Sequence, residues 1–389
     1  MRGGEERAIS NLEALLRQHH HEVFRFERSS REWLSHSWWR KARDGLEVIY
    51  SPRTARELSH TIHSLKPDVI HIHNVFPVLS PSIYIAARRS GLPVVQTVHN
   101  YRFLCANGLF LTNDQKFCER CKHGSFGHAV LLKCYGRSRL RTIPIAMSLG
   151  LHRKLNTFQL CVDAFIAPSQ FLKQKLVEGG FNAESISVIP NATQSVSVAV
   201  QRSSLPLFVY AGRLSREKGL WTLLKAFEPL ATVSLKIIGD GPLFQPLQQY
   251  VNENGLHHIE FLGSLGHSDV LQWCARSWAV IVPSECYENL PQIILEAWSC
   301  GSPVIASRIG GLVELLEDGK GGWTFHVGSE LELRERILFI LKDPQSLRLL
   351  GERCVGYVKH YFDPNFIYPR IMDVYQQAHL KRSLTPIHN

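Results

Sequence analysis

The feature that most constrains this chain is the regular alternation of short apolar runs with stretches of helical period. In the second half LFVYAGRL, VSLKIIGDG, IEFLG, AVIVPS and PVIAS read as strands. KGLWTLLKAFEPL, PLFQPLQQYVNENG, HSDVLQWCAR, PQIILEAWSCG and GLVELLEDG read as the helices that follow them. The first half has the same grammar. EERAISNLEALLRQ, TARELSHTIHSLKPD, SIYIAARRSG and FLKQKLVEGG are expected helices; HEVFRFE, VIHIHNV, PVVQTVHN and DAFIAPS are expected strands. One long helix is expected through IPIAMSLGLHRKLNTFQLCV, and SISVIPNA closes the half. Strands joined by helices of this length run parallel, because each helix carries the chain back before the next strand begins. A length of 389 residues allows two such sets, each with its own core. The expected organisation is α/β: two Rossmann-like, doubly wound domains facing across a cleft, at 1–190 and 205–362. A hinge is expected at 191–204, poor in large apolar residues, and a helix and tail at 363–389.

Charge is uneven along this frame. The formal net charge is +10, and residues 1–190 hold 26 Lys and Arg against 15 Asp and Glu. A basic half suggests an anionic partner, a membrane surface or a phosphorylated acceptor ahead of nucleic acid, since no zinc finger, RNP-type aromatic motif or long basic run is present. A solvated surface with no specific partner is the alternative. No run approaches the roughly 18 apolar residues that span a bilayer. The start, MRGGEERAIS, has no signal-peptide core. The expectation is a cytoplasmic chain, peripheral on the inner face of a membrane. Of nine cysteines, Cys105, Cys118, Cys121 and Cys134 have the spacing C-x12-C-x2-C-x12-C. Four thiolates suit a structural zinc, and buried inert thiols are the alternative.

In doubly wound domains ligands bind at the carboxyl ends of strands, so functional residues should follow strands directly. Four segments do. LFVYAG leads into GRLSREKG, which sets Arg213 and Lys218 before a helix, as a diphosphate requires. IIGDGP places Gly239 and Gly241 where backbone can approach a ligand. AVIVPS leads into SECYENLPQIILEA: Glu288 falls in the loop, Asn289 is a candidate N-cap, and Glu296 falls on the helix. ASRIGG repeats the logic at Gly310 and Gly311.

Taken in order, GRLSREKG, GDGP, ENLPQIILEA, SCGSPVIAS and IGGLVELLEDG resemble the C-terminal domain of glycosyltransferase family 4, retaining transferases of the GT-B fold. GGEERAISNLEALL, KPDVIHIHN, PVVQTVHNYR, APSQFLKQKL and ISVIPNA resemble its N-terminal domain, and YFDPNFIYPRIMDVYQQAHL resembles its last helices, which cross back onto that domain. Glu288 and Glu296 match the family's E-x7-E motif. The resemblance implies a retaining transfer of a sugar from a nucleotide-diphosphate sugar to a lipid-linked or polysaccharide acceptor, in envelope glycan synthesis, with no catalytic metal. It implies that Arg213 and Lys218 neutralise the diphosphate and that Glu296 holds the ribose. Glu288 would stabilise the sugar centre, and the amides of Asn289 and Leu290 would face the sugar or its phosphate. His99 would lie near the reacting centre, with Gly3 and Gly4 forming a phosphate- or acceptor-side loop. The leaving phosphate itself would take the acceptor proton.

Three departures stand out. The strand that usually precedes the glycine loop is missing, which implies either a start upstream or a truncated relative. Ala192 and His20 stand where glycine is usual. The rival functions are a sugar-nucleotide epimerase of the same fold and a non-catalytic binding relative. An NAD enzyme is disfavoured because GDGPLF has only two glycines of G-x-G-x-x-G.

Overall fold

The computed structural model describes residues 4–28, 45–193, 202–316 and 321–384. Gly3, most of the expected hinge and the tail lie outside the described residues. The chain forms two compact units, and neither is one continuous stretch. One is Leu16–Ile189 with Tyr368–Asn389; the other is Met1–Leu15 with Pro190–Ile367. Helix α1 (Gly4–Gln18) therefore contributes residues to both.

The first of these units is built on a parallel sheet in the order β1 (Ile70–Ile72), β2 (Val94–Thr97), β3 (Ala164–Ala167), β4 (Ile186–Val188). Strands β2 and β3 are buried at every position, as their continuous apolar sequence requires. The helices include α2 (Pro52–Leu65), α3 (Ser82–Arg89), α4 (Arg139–Lys154) and α5 (Gln170–Glu178). Ser51, Ser138 and Ser169 cap α2, α4 and α5 by accepting a hydrogen bond from a backbone N–H of the first turn.

Two expectations change here. HEVFRFE forms no strand: residues 21–28 carry no ladder. A strand exists only by pairing, and among the described residues no strand pairs with this segment. The long helix expected from Ile143 to Val162 is broken, because Asn156 takes a left-handed conformation (φ 51°) between α4 and a short turn at Thr157–Cys161. His20 takes the left-handed role usual for glycine at the end of α1, with φ 63°.

The other unit holds a six-stranded parallel sheet: β5 (Leu207–Ala211), β6 (Ser234–Ile238), β7 (Ile259–Gly263), β8 (Ala279–Val282), β9 (Val304–Ser307) and β10 (Gly322–Phe325). Its spatial order is β10-β9-β8-β5-β6-β7. Strand order thus reverses between β5 and β8, the doubly wound pattern with a topological switch point at that pair. Helices α6 (Leu220–Phe227), α7 (Phe244–Glu253), α8 (His267–Arg276), α9 (Gln292–Ser299) and α10 (Gly311–Leu316) follow the strands in turn. Beyond β10, α11 (Glu330–Lys342) and α12 (Ser346–Tyr361) pack on α6 and α9 respectively.

The last helix, α13 (Pro364–Leu384), returns to the four-stranded unit. Arg382 binds the buried Asp163 carboxylate at 2.7 Å, and the Val94 N–H also donates to that carboxylate. Lys381 donates to the Asp163 carbonyl at 2.9 Å. Tyr368 stacks on His19, with ring centroids 3.6 Å apart.

Candidate active site

At the switch point the chain leaves β5 and β8 in opposite directions, and the loops that follow meet. The loop after β5 ends in a single tight turn at Arg216–Lys218, and Gly219 then adopts φ 65°. A Cβ at Gly219 would overlap the Pro283 carbonyl oxygen at the end of β8, so only glycine lets the loops touch. The contact carries Lys218 to Glu288, and the two form an ion pair. Ser284, buried at the end of β8, donates to the same Glu288 oxygen at 2.6 Å. Burial by itself would raise the Glu288 pKa; the Lys218 ammonium and the Ser284 hydroxyl reverse this and hold the carboxylate ionised, below its ordinary value. Burial likewise opposes the Lys218 charge, and Glu288 outweighs it, leaving the pKa raised. At neutral pH both groups are charged.

The surrounding backbone is locked by glycines. The N–H of Gly311 donates to the Glu288 carbonyl at 2.7 Å, and a Cβ at Gly311 would collide with the Asn289 carbonyl. Gly239 and Gly241 serve the same end: Cβ atoms there would collide with the carbonyls of Gly212 and Leu214. Their close approach is thus to the β5 loop. Glu285 has a fixed place: its N–H donates to the Glu217 carbonyl at 2.8 Å, and its carboxylate accepts the Thr222 hydroxyl at 2.7 Å. Arg213 is exposed, and its guanidinium makes no hydrogen bond or ion pair among the described residues. Asn289 is not the N-cap. Pro291 is, with φ −63° and ψ 123°, because proline's fixed φ suits the turn into α9. The Leu290 side chain belongs to the hydrophobic core.

Glu296 lies on α9, buried to 4% exposure. Arg7 of α1 pairs with its Oε1, and His267 of α8 approaches the same oxygen at 3.4 Å. Burial pushes its pKa up; the hydrogen bond from His267 and the Arg7 charge bring it below the ordinary value. Both partners hold one oxygen, which leaves Oε2 to accept from a ligand. Four residues earlier, on the same face of α9, Gln292 is 6% exposed, and neither its oxygen nor its nitrogen has a hydrogen-bond partner. Gly4 lies over it: a Cβ added there would stand 4.0 Å from the Gln292 Cγ.

In the four-stranded unit, His99 follows β2 as expected. Its Nε2 lies 2.9 Å from Nδ1 of His73, which follows β1. His71, on β1, stacks on His73 at 4.4 Å and bridges the Tyr375 and Thr97 hydroxyls, each at 2.7 Å. Withdrawal from water lowers the pKa of His99 to about 4 and that of His71 to about 3, and His73 falls well below its ordinary value for the same reason. All three are neutral at pH 7, so His99 offers a hydrogen bond and no charge.

The four cysteines share one segment of this unit and act on one another electrostatically. Burial, then the neighbouring thiols, push Cys121 up to about 11 and Cys134 up to about 12. Among the described residues no three His, Cys, Asp or Glu side chains are assembled to hold a metal.

The glycosyltransferase family 4 profile matches residues 2–194, and that of the glycosyl transferases group 1 matches residues 197–354. The chain belongs to glycosyltransferase family 4. Arabidopsis thaliana sulfoquinovosyl transferase SQD2 is 30% identical over 324 residues, which are 79% of this chain and 55% of that protein. A phosphatidyl-myo-inositol mannosyltransferase of Propionibacterium freudenreichii is 28% identical over 180 residues, 44% of each chain. The chain spans about half the length of the curated relatives it matches. Anabaena HepE, solved with UDP and glucose, superposes with a TM-score of 0.67 at 21% identity, covering 96% of each chain. The fold is GT-B.

The family positions fall into three local groups: Lys218 with Glu288, Gly239 and Gly241 against the β5 loop, and Glu296 with Arg7. Residue-by-residue reading of the sequence missed Ser284, Arg7, His267, Gln292 and His73. His73 had a signal, since it follows a strand. Arg7 had none, being 289 positions from its partner.

Proposed function

We propose that this chain is a retaining glycosyltransferase that moves a hexosyl group from a nucleotide-diphosphate sugar to a lipid-linked or polysaccharide acceptor of envelope glycan synthesis. One observation carries the reading: the paired Lys218 and Glu288 at the switch point, both charged, with the exposed Arg213 on the same loop after β5. A diphosphate laid at this point meets Arg213 and shares Lys218 with Glu288. As the bond between the sugar's anomeric carbon and the phosphate oxygen breaks, negative charge grows on the diphosphate and positive charge on the sugar. The cations stabilise the first and the Glu288 carboxylate the second. The acceptor oxygen bonds to the anomeric carbon on the face the diphosphate leaves, and its proton passes to the departing phosphate oxygen. The products are a nucleoside diphosphate and a glycoside of unchanged anomeric configuration. Glu296, gripped on one oxygen by Arg7, accepts the ribose hydroxyls on the other. Gln292 adds its amide to the same donor pocket. The complexes of HepE with UDP and glucose and the phospholipid acceptor in the name of the mannosyltransferase relative support this choice of partners.

The test is nucleotide release across a panel of nucleotide sugars by the wild type, Glu288→Ala and Arg213→Ala. At least one donor should turn over, with both variants slower by about 100-fold or more. Equal rates in all three proteins would refute the site.

A further inference from the structure

The outward side of α4 has the wrong chemistry for a face in water. Thr142, Ile145, Ala146, Leu149 and His152 are buried against the unit. On the opposite side Leu140, Ile143, Met147 and Leu151 follow one another at spacings of three, four and four, and all are exposed, Leu140 to 81% and Met147 to 56%. A helix that is apolar on both sides belongs in an interior or against a second apolar phase. Among the described residues no other element covers this ridge.

The electrostatic setting specifies that phase. Residues 120–162 contain eight Lys and Arg and not one Asp or Glu. Arg139 and Lys154, at the two ends of α4, are exposed beside the ridge, as are Lys133 and Arg137 just before it. The acids that bound the stretch are already engaged: Glu119 by Lys122 and Lys175, and Asp163 by Arg382. An apolar ridge flanked by cations that pair with no acid among the described residues fits a surface that offers hydrocarbon beneath anionic headgroups. No described helix is long and apolar enough to cross a membrane, so the contact is one of docking.

We propose that α4 is a docking face for an anionic lipid surface, its apolar ridge entering the headgroup layer and Arg139, Lys154, Lys133 and Arg137 binding lipid phosphates. The proposal rests on the membrane-side acceptor read above and names the surface through which the protein reaches it. It accounts for a helix whose exposed residues would otherwise be a liability in solution.

The experiment is sedimentation of the full chain with vesicles of phosphatidylcholine alone or with about 30% phosphatidylglycerol, at low and high salt. Two double variants are compared with wild type: Met147→Gln with Leu151→Gln, and Arg139→Gln with Lys154→Gln. All four positions are exposed, so both variants should keep the wild-type fold and nucleotide release. Wild type should bind the anionic vesicles and bind more weakly, though still measurably, in high salt. The ridge variant should bind about tenfold or more weakly at either salt, and the cation variant about tenfold more weakly at low salt only. Equal binding by all three proteins, or none by the wild type, overturns the docking face. So does a ridge variant that changes the oligomeric mass while leaving vesicle binding intact, since the occupant is then a second copy of the chain. Nucleotide release is scored separately. Its loss in the wild type would count against the transferase reading, while failed vesicle binding with normal release counts against α4 alone.

Discussion

Each carboxylate in SECYENLPQIILEA has a definite partner: Glu285 has Thr222, Glu288 has Lys218 and Ser284, and Glu296 has Arg7 and His267. Between them lies the neutral Gln292, whose amide oxygen and nitrogen are both left unsatisfied among the described residues. A buried amide without hydrogen bonds costs about 1–3 kcal/mol, so Gln292 is paid for by something outside the free protein. Gln292→Leu keeps the volume and removes the unmet groups. Thermal unfolding should therefore shift upward by a few degrees, while the KM for the nucleotide sugar rises several-fold. Differential scanning calorimetry and donor kinetics measured on the same preparation decide it. A variant with unchanged stability and unchanged KM would remove Gln292 from the donor pocket. At this scale the sequence was informative about position and silent about partnership. Lys218 and Glu288 could be found because both follow strands, while Arg7 and His267 reach Glu296 only after the chain has folded.

At the level of elements, the parallel α/β plan was legible because apolar runs and helical stretches alternate cleanly from Leu207 to Leu316. What failed was local and has a physical cause. HEVFRFE has the composition of a strand but no ladder partner among the described residues, and Asn156 breaks a continuous apolar periodicity by turning left-handed. The reach of β1 and β2 also went unread: their ends bring His71, His73 and His99 into one stack. This stack carries a pH prediction. The histidines titrate near 6.5 when unfolded but only at about 3 for His71 and about 4 for His99 when folded. Between those limits the unfolded chain binds protons that the folded chain refuses, so stability falls as pH falls from about 6.5 toward 4. The slope is at most about 1.4 kcal/mol per pH unit for each histidine. Urea unfolding at pH 7.5, 5.5 and 4.5 should show it, and the slope should shrink in His71→Gln. A flat profile across that range would mean the stack is already solvated.

For the whole molecule, the sequence reading placed an N-terminal domain at 1–190, a nucleotide-sugar domain after it and, through the family resemblance, a last helix crossing back to the first domain. The compact units are interleaved: the six-stranded unit takes in Met1–Leu15, and the four-stranded unit takes in Tyr368–Asn389. The reason lies in contacts that no local pattern announces, Arg7 to Glu296 at one end of the chain and Arg382 to Asp163 at the other. Expressing 1–190 and 191–389 separately should therefore give two unstable fragments. Each is expected to unfold several degrees below the full chain, and mixing them should restore stability; the readout is circular dichroism on heating. Fragments as stable alone as together would show these end segments to be dispensable. The same arrangement sets an order on synthesis. Asp163 leaves the ribosome more than 200 residues before Arg382, so the first sheet must wait with a buried acid half-answered until the last helix emerges. A nascent chain of this kind is committed late, and a stop codon anywhere before Arg382 leaves an incomplete first unit for the cell's quality control to find.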